Sequence, residues 1–333
     1  KEIQKDLDDG IDTIGKKMTV CQLYAKQIRH RGNVRYNTKN GRKRLMKLLE
    51  EDKLGGCPID SVKLSDAKEW AIRMKEKGIS YKTISNDKRS LKAAFYTAIQ
   101  DDCIRKNPFD FQLNTVIEDD TEPKVPLTPA QEESFLSFAQ NDKVYQKYYD
   151  ELIILLGTGL RISELCGLTD TDIDFENRII NVDHQLLRSA ETGYYIETPK
   201  TKSGIRQIPM SEKVYEAFNR VLKRRRGAKA VTIDGYSNFL FLNRDGYPKT
   251  ATNYDGMFRG LAKKYNKYHE EALPKVMTPH TLRHTFCTNM ANAGMNPKAL
   301  QYIMGHSNIT MTLNYYAHAT FDSAKAEMLR IAA

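Results

Sequence analysis

The sequence contains no apolar run long enough to span a bilayer and no signal-peptide pattern. A membrane-spanning helix and a secretory leader are therefore excluded from the expectation, and no membrane partner is expected. Cysteine is scarce: Cys21, Cys57, Cys103, Cys166 and Cys287 are odd in number and lack paired spacing. That argues against a disulfide framework or a zinc module and for reduced thiols in a cytosolic compartment. There is no Walker-type phosphate loop and no obvious carboxylate triad for two-metal chemistry, so neither a cofactor nor a metal is expected. Internal repeats and low-complexity tracts are missing as well. The chain starts at Lys1 and not at methionine, from which we expect a natural N-terminal segment to precede it.

What is present is length and positive charge. The 333 residues suffice for two domains with separate cores. Lys plus Arg outnumber Asp plus Glu by 52 to 42, a net charge of +10 with a pI of about 9.1, which favours a polyanionic partner. Residues 1–15 carry Ile3, Leu7, Ile11 and Ile14 on one helical stripe. From Met18 to Phe111 the pattern is helical. Thr19 is placed to cap a first helix, the basic stretch Arg42-Lys43-Arg44 opens a second, and Ser65 or Asp66 caps a third that Gly78 stops. Ser80 begins a longer helix over Tyr81 to Ile99, and Asn107-Pro108 closes the bundle. A polar, proline-bearing stretch follows, so the boundaries expected are a helical domain over 16–115 and a linker over 116–127. Thr128-Pro129-Ala130-Gln131 then supplies an N-cap, a first-turn proline and a capping-box glutamine. After a helix around Tyr148–Leu156 and another from Arg161 come β-rich segments near 179–185, 194–199 and 205–209, with Lys200 to Gly204 as the last turn. The remainder reads as helix. The fold class expected is mainly α with a small antiparallel β-sheet in the second domain.

Four segments of that domain carry chemistry together: Gly157 to Leu165, the turn at Lys202, Pro279 to Phe286, and Gly305-His306 leading to Tyr315-Tyr316-Ala317-His318. Breaking a phosphodiester without metal requires neutralising charge on the two non-bridging oxygens, and two guanidiniums with fork geometry do this best. A tyrosine phenol is a workable nucleophile, a lysine ammonium can protonate the leaving oxygen, and histidines can orient the phosphate and shuttle protons. His280 and Arg283, three apart, share a helix face. Gly305 sits where a helix from Pro297 would end, leaving His306 at the head of the next segment.

The order Arg, β-turn Lys, His-x-x-Arg, Gly-His and Tyr-x-His resembles the catalytic domain of tyrosine recombinases (phage integrases). The helical part ending in Ile104-Arg105-Lys106-Asn107-Pro108 resembles their core-binding domain. The likeness covers roughly residues 17–320 and leans toward integrases of Gram-positive conjugative transposons. It implies a two-domain clamp round duplex DNA, with a catalytic domain over 128–319. It also implies that Arg161 and Arg283 clamp the scissile phosphate with support from His280 and His306. Lys202 would act as general acid toward the 5′-oxygen. The tyrosine would give a 3′-phosphotyrosine that a partner 5′-hydroxyl reverses, with no ATP or metal. Members differ in whether nine or ten residues separate the last histidine from the nucleophile. Counting nine from His306 selects Tyr315 and counting ten selects Tyr316. The Tyr-x-His pattern favours Tyr316, and Tyr315 stays open.

The same resemblance implies phosphate and groove contacts from Arg42, Lys43, Lys82, Lys88, Arg89 and Lys92 of the helical domain. Residues 1–15 would be a coupler following an arm-type domain. Residues 320–333, with Phe321, Ala324, Met328 and Ile331 on one stripe, would form a C-terminal helix docked on its own domain or on a neighbouring protomer. Double-stranded DNA, a homo-oligomer of two or four protomers on it, and an excision accessory protein are the expected partners, in a bacterial cytoplasm. Other readings compete. His280 and His284 at i,i+4 could ligate zinc, but no Glu or Cys set completes that site. A type IB topoisomerase shares the chemistry but acts as a monomer, and a DNA-binding protein with a dead site would lack it. Lys223 to Arg226 read as a solvated helix end, and Glu164, Cys166, Asp172 and Asp174 as structural residues.

Overall fold

Four amphipathic helices build the first unit: α1 (Val20–His30), α2 (Tyr36–Glu50), α3 (Leu64–Glu76) and α4 (Tyr81–Gln100). The computed structural model describes residues 15–32, 34–122, 125–199, 201–225, 231–316 and 328–329. The expected coupler helix and nearly all of the expected C-terminal helix lie outside the described residues. The chain divides into two units, residues 1–123 and 124–333.

Thr19 caps α1 as expected. Its hydroxyl accepts from the Gln22 amide at 3.2 Å, and the Gln22 side chain accepts from the Thr19 amide at 2.8 Å. This reciprocal pair satisfies two amides that a helix start leaves without partners. The basic stretch Arg42-Lys43-Arg44 does not open α2, which begins upstream at Tyr36, so those cations sit in mid-helix. Lys63, and neither Ser65 nor Asp66, occupies the cap position of α3, where the Asp66 carboxylate accepts its amide at 2.8 Å. Ser80 starts α4. Trp70 of α3 and Phe95 of α4 meet Phe109, with ring centroids 5.7 and 5.4 Å from it. Two buried carboxylates are neutralised in place: Arg73 forks onto Asp52 at 2.7 and 2.9 Å, and Arg44 reaches Asp87 at 2.5 Å. Either carboxylate left alone there would be costly. Beyond Asn107 the core continues through Leu113 and Ile117.

The second unit starts with α5 (Pro129–Asn141), whose cap is the Thr128–Gln131 box, with both bonds at 3.1 Å. Its central helix is α6 (Tyr149–Thr158), followed by the short α7 (Ile162–Gly167). Because α6 packs against α5, α8 (Glu212–Arg225) and α10 (Pro279–Asn292), it is apolar nearly all round. The helices α9 (Ala251–Tyr268), α11 (Pro297–Met304) and α12 (Thr310–Leu313) complete the unit. The β-rich region forms two antiparallel sheets where one was expected. In one, β1 (Ile173–Asp174), β2 (Ile179–Val182) and β5 (Arg206–Pro209) lie in the order β1-β2-β5; in the other, β3 (Gln185–Ser189) pairs with β4 (Gly193–Glu197). The segment expected over 179–185 is broken at His184, which is buried and bonded to the Gly167 carbonyl at 2.8 Å. Among the described residues, no helix is long and apolar enough to cross a membrane.

Two glycines shape the site. Gly159 ends α6 at φ 63° and Gly305 ends α11 at φ 60°, a left-handed backbone that favours glycine. A Cβ on Gly159 would come within 2.4 Å of the Phe286 ring, and one on Gly305 within 3.0 Å of the Ser203 carbonyl.

Candidate active site

The last carbonyls of a helix have no partner within it, and guanidiniums take up two such helix ends here. Arg283, buried in α10, donates Nη1 to the Gly159 carbonyl at 2.5 Å and Nη2 to the Met304 carbonyl. Arg161 precedes α7 and donates Nη2 to the Gly305 carbonyl at 3.0 Å. Arg161 is also held by Glu164: its Nη1 meets Oε1 at 2.7 Å and its amide meets Oε2 at 2.8 Å. His306 follows Gly305 and is buried, with Nδ1 2.9 Å from the Thr312 hydroxyl. The two expected arginines and the expected histidine therefore meet around Gly305.

Three guanidiniums, Arg161, Arg206 and Arg283, surround one carboxylate, Glu164. Burial first, then the Arg161 charge, holds the Arg283 guanidinium below its ordinary value. Burial would raise Glu164, but the Arg206 hydrogen bonds and the charges of Arg206, Arg161 and Arg283 carry it down to about 2. Burial, then Arg283 and Arg161, lowers His306 to about 4, so it is a neutral imidazole at physiological pH. With three guanidiniums to one carboxylate, the cluster carries net positive charge.

The pH consequence has a definite sign. The unfolded His306 takes a proton near 6.5 and the folded one resists it until about 4, so its share of stability is lost as pH falls through that window. Glu164 adds a further loss as pH falls from 4.5 toward 2. The unfolding free energy should drop by on the order of 2 kcal/mol through His306 between neutral pH and pH 4. His306→Asn should flatten that slope; identical slopes for both proteins would remove His306 from the account.

The remaining expected residues are placed as follows. Lys202 is exposed and begins a 3₁₀ turn, Lys202–Gly204, whose Ser203 carbonyl packs on Gly305. His280 is exposed on the first turn of α10 and lies edge-on to His284, with centroids 4.7 Å apart. The Tyr315 hydroxyl is 2.7 Å from His284 Nδ1, whereas the Tyr316 hydroxyl donates to the Met295 carbonyl at 2.5 Å. Burial, then Cys287, pushes the Tyr315 phenol up to about 12, against the pull of Arg283. Tyr316 is raised for the same first cause.

Sequence reasoning missed three residues. Glu164 shows only capping-box spacing from Arg161 and reads as packing, Arg206 has no role in the sequence reading, and His284 enters it only beside His280 in the zinc alternative. A metal reading has one geometric candidate among the described residues, Asp172, Asp183 and His184, whose donor atoms lie within 4.8 Å of one another. His184 already spends both ring nitrogens, on Asp183 at 2.6 Å and the Gly167 carbonyl at 2.8 Å, as a core histidine does.

In the first unit, Arg42 and Lys43 line a groove between α1 and α2 with Lys39 and Lys47, while Lys82 and Arg89 are exposed on α4. Lys88 is engaged internally, donating to the Phe111 carbonyl at 2.5 Å and lying over its ring. Lys92 is engaged by Asp110, also at 2.5 Å.

A helical unit dense in cations, followed by a unit in which an arginine pair and a neutral histidine meet around Gly305 with two tyrosines close by in the chain, defines a DNA strand-transfer protein of the integrase type. The chain belongs to the phage integrase family, which residues 126–323 match. It is 69% identical over 330 residues to the transposase of transposon Tn916 from Enterococcus faecalis, covering 99% of this chain and 81% of that one. Solved chains of the Tn1549 transposon integrase, bound to circular intermediate DNA or to transposon right end DNA, are 78% identical. They superimpose with TM-scores of 0.90 and 0.89, covering 94–95% of this chain and 99–100% of those. Lambda integrase on a core site shares the fold at 16% identity, with a TM-score of 0.61 over 89% of this chain and 76% of that one.

Proposed function

We propose that this chain is the site-specific recombinase of a mobile genetic element, cutting and rejoining duplex DNA through a 3′-phosphotyrosine for excision and integration. The observation that carries this is the convergence of Arg161, Arg283 and neutral His306 around Gly305, with Tyr315 held one residue beyond Arg283 by His284. The guanidiniums take the two non-bridging oxygens, whose charge grows in the transition state. The tyrosine oxygen bonds to phosphorus, the bond to the 5′-oxygen breaks, and Lys202 supplies the proton that oxygen needs. One phosphoester replaces another, so bond energy is conserved and no ATP is required.

We assign the nucleophile to Tyr315, against the preference that the Tyr-x-His pattern gave to Tyr316. Two observations support it. The Tyr315 phenol faces an imidazole nitrogen placed to take its proton, while that of Tyr316 is spent on a main-chain carbonyl. The two Tn1549 integrase chains carry an arginine-to-lysine and a tyrosine-to-phenylalanine substitution, respectively. Those positions are separated by the same sequence interval as Arg161 and Tyr315, one residue less than the interval to Tyr316.

In the first unit, Arg42, Lys43, Lys82 and Arg89 face phosphates, while Lys88 and Lys92 act through the segment they anchor. Rejoining needs a 5′-hydroxyl from a second cut site, so two or four protomers act together. An isoenergetic exchange has no built-in direction, and an accessory protein supplies it during excision. The reaction belongs in the bacterial cytoplasm, where the element's DNA is.

The test is incubation of the protein, in EDTA, with a nicked duplex bearing the Tn1549 right-end sequence. An SDS-resistant protein–DNA adduct is expected. Tight binding to that duplex with no adduct at any enzyme concentration would overturn the reading.

A further inference from the structure

The proposed steps leave one buried cation unused. Arg206 lies on the inward face of β5, and its side chain is wholly enclosed, 0% exposed. Its Nε donates to the Ile303 carbonyl at 2.6 Å. Its Nη1 donates to the Gly204 carbonyl at 3.0 Å and to Glu164 Oε1 at 3.1 Å, and its Nη2 donates to Glu164 Oε2 at 2.9 Å.

Each acceptor belongs to a different part of the site. Glu164 is the carboxylate that also holds the amide and guanidinium of Arg161. Gly204 ends the turn that Lys202 begins. Ile303 lies in the last turn of α11, just before Gly305 and His306. The fit around it is close: a Cβ on Gly305 would stand 3.1 Å from Arg206 Nη1 and 3.0 Å from the Ser203 carbonyl. An apolar pair of similar volume would stabilise a buried site as well as this ion pair does. What the fork adds is geometry, since only a planar guanidinium can serve three acceptors in fixed directions at once.

We propose that Arg206 is a positioning residue that sets the Lys202 turn in register with Arg161 and His306. It acts through Glu164, Gly204 and Ile303 and touches no reacting atom. This rests on the roles proposed above for Arg161 and Lys202.

The test compares Arg206→Lys with the parent and with Lys202→Ala, on two nicked right-end duplexes. One is unmodified; the other carries sulfur in place of the bridging 5′-oxygen, so that the leaving thiolate needs no proton. Arg206→Lys keeps a charge beside Glu164 but cannot fork to the two carbonyls. The expected result is a still cooperative unfolding transition at a lower midpoint and parent-like duplex affinity, with cleavage of the unmodified duplex slower by about 100-fold. The sulfur should restore most of that loss, as it does for Lys202→Ala. Cleavage of the unmodified duplex within about threefold of the parent overturns the proposal. So does a loss that sulfur leaves untouched while Lys202→Ala is rescued. If sulfur fails to rescue Lys202→Ala, the lysine role falls on its own. Arg206 is then judged on the unmodified duplex, where a loss at preserved affinity supports it and parent-like cleavage overturns it. Should Arg206→Lys unfold, Arg206→Met, in which Glu164 keeps Arg161 as its ion-pair partner, takes its place in the same assays.

Discussion

Tyr315→Phe is expected to abolish the covalent protein–DNA adduct entirely, while Tyr316→Phe keeps it. The two tyrosines are adjacent in sequence, yet their hydroxyls have different company: His284 Nδ1 for Tyr315, the Met295 carbonyl for Tyr316. A carbonyl can only accept, so a phenol bound to it has no route to give up its proton. An imidazole nitrogen, unlike a carbonyl oxygen, can serve as the base that takes that proton as the oxygen attacks phosphorus. Phenylalanine at 315 removes one hydroxyl from a half-buried ring and leaves the packing in place, so duplex affinity and thermal unfolding should stay close to the parent's. Loss of the adduct in Tyr316→Phe alone would return the nucleophile to Tyr316 and leave His284 a packing residue.

The second large effect is expected at Arg161. Arg161→Lys keeps the charge but loses the fork that spans two phosphate oxygens, and Arg161→Ala loses both. Single-turnover cleavage should fall by about 100- to 1000-fold in Arg161→Ala, the scale for removing one preorganised donor from a developing oxyanion. Duplex affinity should hardly change, because most of it comes from other phosphate contacts. The fold should survive, since the Arg161 side chain is already 36% exposed and Glu164 keeps Arg206 as its partner. Sulfate offers an independent readout. An anion bound beside Arg161 and Arg283 relieves their mutual repulsion, so sulfate should raise the unfolding midpoint of the parent and do so less in Arg161→Ala. Parent-like cleavage by Arg161→Lys would show that a point charge suffices and that the fork has no part in the reaction.

The amino-acid sequence alone was enough for most of what depends on neighbours three or four residues apart. The Thr19–Gln22 and Thr128–Gln131 boxes, the Ser80 start of α4 and the stop at Gly305 follow from local hydrogen bonding, which short spacing encodes. The order of arginine, lysine, histidines and tyrosines likewise marked the chemistry, because those residue types are few and their segments separate. Where two local solutions compete, sequence misplaced the boundary, as at the starts of α2 and α3, since neither Arg35 nor Lys63 resembles a cap.

Only the tertiary structure decided what depends on residues far apart in the chain. Arg206 and Glu164 meet across 42 residues and Tyr315 and His284 across 31, and no periodicity carries such a pairing. At β5 the residue types do not tell which face is inward: Ile205, just before the strand, is exposed, while Arg206 and Ile208 are buried. Lys88 and Lys92 read as two more phosphate-facing cations until the turn at Asp110 and Phe111 folded back to engage them. A charged side chain shows its type in the sequence, but whether it meets solvent, DNA or a buried partner is set by which surfaces the packed helices bring against it.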